Sequence, residues 1–260
     1  MHFIETIKGF TRYKSLLHEL VTRDIKVRYR RSVLGILWTV LNPVLMMLVI
    51  TIVFSQLFRF EIEHYPIYYF CGNIIFGFMN TATNDALHSI LGGANLIKKV
   101  YVPKYIFPLS KIFSGLVNLG FSYIAMLLVM VLTKTPFHAT MLLTPIVVFY
   151  VFLFSVGLGL VLATMMVFFR DIAHLYGVAI TAWMYLTPVF YPESLLSERN
   201  PLILAFNPMH HYIAYMRDIT LYQTVPSITD NLICLGFSLS MLVIGLLFFY
   251  KKQDKFILYI

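Results

Sequence analysis

The chain runs to 260 residues, of which 59% are hydrophobic, 16% aromatic and only 12% charged. A soluble domain carries roughly 25% charged residues, so this chain lacks the charge to clothe a water-exposed surface, and soluble globular and disordered classes are excluded. Apolar runs of about 20 residues, enough for a helix to cross about 30 Å of hydrocarbon, indicate instead an all-α polytopic membrane protein whose net charge of +8 reflects basic cytoplasmic loops and no nucleic-acid partner.

In chain order, residues 1–32 are amphipathic. Phe3, Ile7, Phe10, Leu17, Leu20 and Val21 recur at three- and four-residue steps between Lys8, Arg12, Lys14, Arg23, Lys26 and Arg28, the pattern of a helix lying in the membrane surface. The stretch has no apolar core of the kind a cleavable signal needs. Residues 33–250 then form a membrane domain with six candidate spans. The first, 33–58, is long enough to tilt or to kink at Pro43. The second, 67–91, turns polar in its C-terminal half. The third covers 113–132 and the fourth 141–169, with Pro145 in the first turn where a missing N–H costs little. The fifth, 173–190, is short and stops before Tyr191-Pro192; the sixth is 229–250. Between the last two, residues 191–228 hold two short apolar stretches divided by Asn200-Pro201 and Asn207-Pro208. Neither can cross a bilayer, so short helices dipping into the outer leaflet are expected, acceptable where their broken ends face protein or water.

Sixteen of the 20 lysines and arginines lie in 1–32, 92–111, 169–172 and the tail 251–260; only Arg59, Lys134, Arg199 and Arg217 lie in the alternate loops. That asymmetry places both termini in the cytoplasm, and an even number of spans agrees.

Residues able to do chemistry are few. No GxxxxGK[ST], HExxH or GxSxG occurs, so no nucleotide, metal or other cofactor is expected on this chain. His210-His211 are adjacent and do not share a helix face, and Cys71 and Cys234 stand alone in apolar segments as packed thiols. Asp85, beside Asn80, Thr81, Thr83, Asn84 and His88, is an intramembrane carboxylate: either the wall of a polar passage or a solvated helix end. Tyr65, Tyr68, Tyr69, Phe70, Phe76 and Phe78 crowd the outer half of the second span, and Trp183, Tyr185, Phe190 and Tyr191 that of the fifth. An interfacial aromatic belt accounts for them; the alternative is that some rings line a conduit for sugars.

Three stretches resemble the permease subunit of the ABC-2 family, in its polysaccharide and polyol-phosphate exporter branch: LVTRDIKVRYRRSVLGILWTVLNPVLMML at 20–48, NLIKKVYVPKYIFPLS at 95–110 and FFRDIAHLYGVAITAWMYLTPVFYP at 168–192. The first looks like that family's interface helix entering its first span, the second like its cytoplasmic coupling segment, the third like its second cytoplasmic turn and fifth span. The resemblance implies a homodimer of six-span subunits in the cytoplasmic (inner) membrane, paired with two separate ATPase subunits that bind ATP and Mg. It further implies that residues 191–228 supply external gate helices, and that a lipid-linked glycan of O-antigen, capsule or teichoic-acid type passes between the permease copies.

By that likeness, contact with the ATPase falls on Asn95, Leu96, Ile97, Lys98, Lys99, Val100, Tyr101 and Pro103 within 92–111, with Arg170 and Asp171 on the second turn. The composition of 95–103 is that of a short helix presenting an apolar knob with a basic rim, stopped before Pro103. The conduit candidates are Tyr69, Phe76, Trp183, Tyr185 and Asp85. Export of a drug or other small molecule is the nearest rival function; a membrane-embedded transferase, with only Asp85 to His88 to work with, and a scaffold are more distant.

Overall fold

The computed structural model describes residues 13–29, 34–57, 62–198 and 200–260. The expectations placed on residues 1–12 and 30–33, on Arg59 and on Arg199 lie outside them. Every regular element among the described residues is helical. Among the described residues three helical stretches are long and apolar enough to cross a membrane, Ile106–Leu132, Ala139–Phe168 and Ile228–Leu258; Trp38–Phe54 is apolar but shorter.

Helix α1 (Lys14–Tyr29) packs on α6 (Ile106–Leu132). Leu20 is buried there, and Lys111 of α6 donates to Asp24 Oδ2 at 2.7 Å. α2 (Trp38–Thr51) follows a 3-10 turn at Gly35–Leu37 and runs into a π-turn, Ile52–Leu57. Only Thr39 and Met47 of α2 are buried, against a row of exposed Leu45, Met46, Leu48, Val49 and Ile52. An apolar helix face open in an isolated subunit suits lipid or another membrane chain.

α3 (Tyr65–Leu87) is the central helix, enclosed by α6, by α7 (Thr144–Phe168) and by α11 (Pro208–Thr220). Its continuous helix ends at Leu87, a turn short of the expected span, because the chain breaks at His88. Two short helices complete the descent, α4 (Ser89–Gly92) and α5 (Ala94–Lys99). α6 begins at Ile106, seven residues ahead of the apolar run that announces it, with Pro108 tolerated in its first turn.

α8 (Ile172–Tyr185) has only 14 residues, about 21 Å at 1.5 Å per residue, and stops just ahead of Pro188. Three helices follow: α9 (Ser194–Ser197), α10 (Pro201–Ala205) and α11. α11 runs for 13 residues, longer than the divided apolar pattern suggests. Asn207 caps it, accepting from the Met209 amide at 3.1 Å.

α12 (Ile228–Lys252) opens with a capping box between Ser227 and Asp230 and lies against α7. There is no room between the two backbones: a Cβ on Gly157 would overlap the Met241 carbonyl, and one on Gly245 would overlap the carbonyl of Gly157 itself. A 3-10 turn, Gln253–Leu258, follows α12.

Candidate functional site

Two regions hold the unusual chemistry, one at each end of the bundle. At the end where α3 begins and α8 stops, residues 186–193 form a strap across α3 and α11. A non-helical backbone buried among helices must find donors for its carbonyls, and here side chains supply them. The Asn207 amide donates to the Leu186 carbonyl at 3.2 Å and to Thr187 Oγ1 at 2.8 Å. Arg217 Nη2 donates to the carbonyls of Pro188 and Val189 at 2.7 and 3.0 Å. The hydroxyls of Tyr65 and Tyr68 donate to the carbonyls of Phe190 and Tyr191 at 2.6 and 3.0 Å. Gly72 makes the crossing possible, since a Cβ there would sit 2.9 Å from the Val189 oxygen.

Arg217 is the centre of this arrangement. It is 3% exposed, its guanidinium lies 3.5 Å from the centre of the Tyr68 ring, and its Nε has no partner. Two carbonyl acceptors and an aromatic face replace the water it has lost. Beside it opens a cavity of about 320 Å³ whose lining includes Tyr68, Glu193, Asp218 and Tyr222. Asp85 and the aromatic clusters stood out in the sequence as site candidates, whereas Gly72 did not, and Arg217 and Asn207 entered only as an outer-loop charge and a break in 191–228.

The aromatic candidates separate onto two sides of α8. Tyr69 and Phe76 of α3 are 5% and 3% exposed, inside the packed core of the subunit. Phe76 meets the Trp183 ring edge-on at 6.5 Å, and Trp183 in turn meets Phe154 at 6.1 Å. Trp183 also donates its Nε1–H to Asn207 Oδ1 at 2.8 Å, which joins it to the strap. Tyr185 stands apart, 59% exposed. With His174, Gly177, Val178, Thr181 and Ala182 it lines an open depression of about 550 Å³ along α8. Asp85 is half-buried near the end of α3. Two residues earlier in the helix, Thr83 and Tyr176 share a buried hydroxyl–hydroxyl bond at 2.6 Å that pins α8 to α3.

At the other end lie the residues expected to meet an ATPase. α5 exposes Asn95, Lys98 and Lys99, half-buries Leu96 and turns Ile97 inward. The helix ends at Lys99, Val100 is extended, and the exposed apolar residues are Val100 and Tyr101, the latter 90% exposed. The apolar knob is therefore this pair, just outside the helix, followed by half-buried Pro103. Arg170 and Asp171 are exposed in the turn between α7 and α8.

One element touches both cytoplasm-assigned segments, the 3-10 turn after α12. Lys104 donates to the Gln253 carbonyl at 2.6 Å and stands 5.8 Å over the ring of Phe256. Phe256 is fully buried, 5.9 Å from Phe168, and Tyr259 packs on Phe168 at 4.9 Å. Burial lowers the Lys104 pKa, with the Asp254 charge opposing. Among the described residues no group of three or more His, Cys, Asp or Glu is placed to hold a metal.

Comparison with known proteins adds relatives over the whole length. The profile of the ABC-2 type transporter family matches residues 15–221. The O-antigen export system permease protein RfbA of Myxococcus xanthus is 31% identical over 257 residues, covering 97% of this chain and 98% of that protein. Two proteins of the same name from Klebsiella pneumoniae are 27% and 26% identical over 243 residues, 93% of each chain.

Proposed function

The chain belongs to the ABC-2 type transporter family, and from that premise we propose that it is the permease of an ATP-driven exporter that carries a lipid-linked polysaccharide, of O-antigen type, across the inner membrane. The observation that carries this reading is end-to-end similarity to proteins named O-antigen export permeases. On this reading the subunit spans six times with both termini inside, which the distribution of basic residues supports; α8 together with the strap serves as the fifth crossing. It works as a homodimer, whose second copy covers the apolar faces that α2 and α8 leave open. ATP and Mg are bound by two partner ATPases, since nothing in this sequence can cradle a triphosphate.

Each part has a task in that cycle. The open side of α8, with Thr181 and Tyr185, offers hydroxyls and one ring face to a sugar chain between the two copies. The strap and α11 close the external mouth. Val100, Tyr101 and the lysines of α5 receive the ATPase. ATP acts by binding more tightly to the assembly in one conduit state, and only that difference in affinity moves the equilibrium.

The test is transport in sealed vesicles containing the permease and its ATPase, loaded with lipid-linked glycan. ATP-dependent movement of glycan is expected, and the purified chain alone is expected to hydrolyse no ATP. Export of a small hydrophobic drug without movement of glycan would transfer the reading to the rival function.

A further inference from the structure

The basic end of the bundle carries more exposed apolar surface than α5 alone provides. Val100, Tyr101, Phe169, Ile257 and Leu258 are all more than half exposed there. Around them stand exposed Lys98, Lys99, Arg170, Lys251, Lys252 and Lys255, with Asp171 and Asp254 of opposite sign on the same segments. Exposed apolar side chains are stabilised when a partner covers them, at roughly 25 cal/mol per Å². A basic rim selects a partner whose groove is edged with carboxylates.

After α12 the chain tightens into the 3-10 turn Gln253–Leu258. Phe256 is driven fully into the space between Phe168 and Phe249. This holds residues 253–260 against the end of the bundle, while Ile257 and Leu258 stay exposed. The Lys104–Gln253 hydrogen bond ties that segment to the chain leaving α5.

We propose that residues 253–260 form the second half of the ATPase docking surface, presenting Ile257 and Leu258 beside Val100 and Tyr101, with Lys104 as the positioning residue that holds the two halves together. The proposal rests on the assignment of this chain as the permease of an ATP-driven exporter. Its occupant is a cytosolic ATPase subunit with an apolar groove and an acidic rim. The two aspartates on the same face, Asp171 and Asp254, fit such a groove less awkwardly than they fit anionic headgroups, because side chains of one folded partner can be arranged around them.

The test is site-specific photo-crosslinking in the full permease–ATPase complex, with p-benzoylphenylalanine placed at Tyr101, at Leu258 and, as a control at the opposite end, at Leu142. Tyr101 and Leu258 are expected to crosslink to the ATPase, and Leu142 not. Lys104→Met is expected to lower the Leu258 yield by about tenfold, the effect of losing one charge-assisted hydrogen bond, and to leave the Tyr101 yield unchanged. Lys104→Arg is expected to restore it. Crosslinking at Tyr101 with none at Leu258 overturns this inference and leaves the exporter assignment intact. ATPase adducts at neither site, with Leu258 marking only lipid, overturn both. A Leu258 yield indifferent to Lys104→Met overturns the positioning role of Lys104.

Discussion

Replacing Arg217 by Met tests whether side-chain donors hold the strap in place. Methionine fills much of the same space but donates nothing, so the carbonyls of Pro188 and Val189, now 2.7 and 3.0 Å from the guanidinium, lose their partners. An unpaired buried carbonyl costs about 1–3 kcal/mol, so two cost about 2–6 kcal/mol; removing the buried charge returns part of this, leaving a net of about 2–4 kcal/mol. At about 1.4 kcal/mol per decade, the fraction of time the strap stands open rises roughly 30- to 700-fold. Cys71 reports it, being fully buried and next to Gly72, on which Val189 lies. In a Cys234→Ala background, the rate of Cys71 modification by a membrane-permeant maleimide should rise by that factor, with Arg217→Lys giving an intermediate value. The rate at Cys234, measured in a Cys71→Ala background, should stay put, which separates strap opening from general unfolding. An unchanged Cys71 rate in Arg217→Met would refute the argument.

Three further outcomes are expected. Cysteines introduced at Ser197 and Gln223 should label from outside intact cells and those at Lys14 and Lys252 should not; labelling at Lys14 would reverse the orientation. Gly157→Val should lose folded protein in fluorescence-detected size-exclusion chromatography, because the obstruction is a backbone carbonyl of Met241 and the cost exceeds the usual about 1–3 kcal/mol of overpacking; a normal yield would show that α7 and α12 can separate without penalty. Tyr185→Ala should abolish glycan export with assembly intact, whereas Phe76→Ala, which empties a packed site at about 3–5 kcal/mol, should lower the folded yield itself; normal export by Tyr185→Ala would return that ring to the interfacial belt.

What could be read from the sequence follows the physics of each feature. Long apolar runs have no other structure open to them in hydrocarbon, so α7 and α12 were legible almost to their ends and α6 in all but its first two turns. The broken character of 191–228 was equally plain, because Pro and Asn punctuate it. Side-chain direction was less accessible. Tyr69 and Tyr185 belong to similar aromatic clusters, yet one is in the core and the other on an open face, a difference set by which side of α8 meets α3. The knob at 95–103 was placed on the helix, but Ile97 turns inward and Tyr101 outward, since the helix stops at Lys99. Arg217 was counted as a loop charge and its role escaped notice, because its partners are backbone carbonyls 28 and 29 residues away. Carbonyls carry no residue type, and no pattern of side chains announces them. The docking of Phe256 was hidden for a related reason: its partners Phe168 and Phe249 lie on helices the tail sequence does not point to.

The backbone contact between Gly157 and Gly245 also bears on the order in which the protein is made. α7 is complete at Phe168, but its closest neighbour begins only at Ile228. At about 5–20 residues per second, the ribosome needs several seconds to deliver the missing helix. During that interval the glycine-lined groove of α7 faces lipid or the insertion machinery with nothing to fill it. The bundle is thus closed by α12, and a chain arrested before Ile228 should present α7 as a surface that membrane proteases and chaperones can recognise as unfinished.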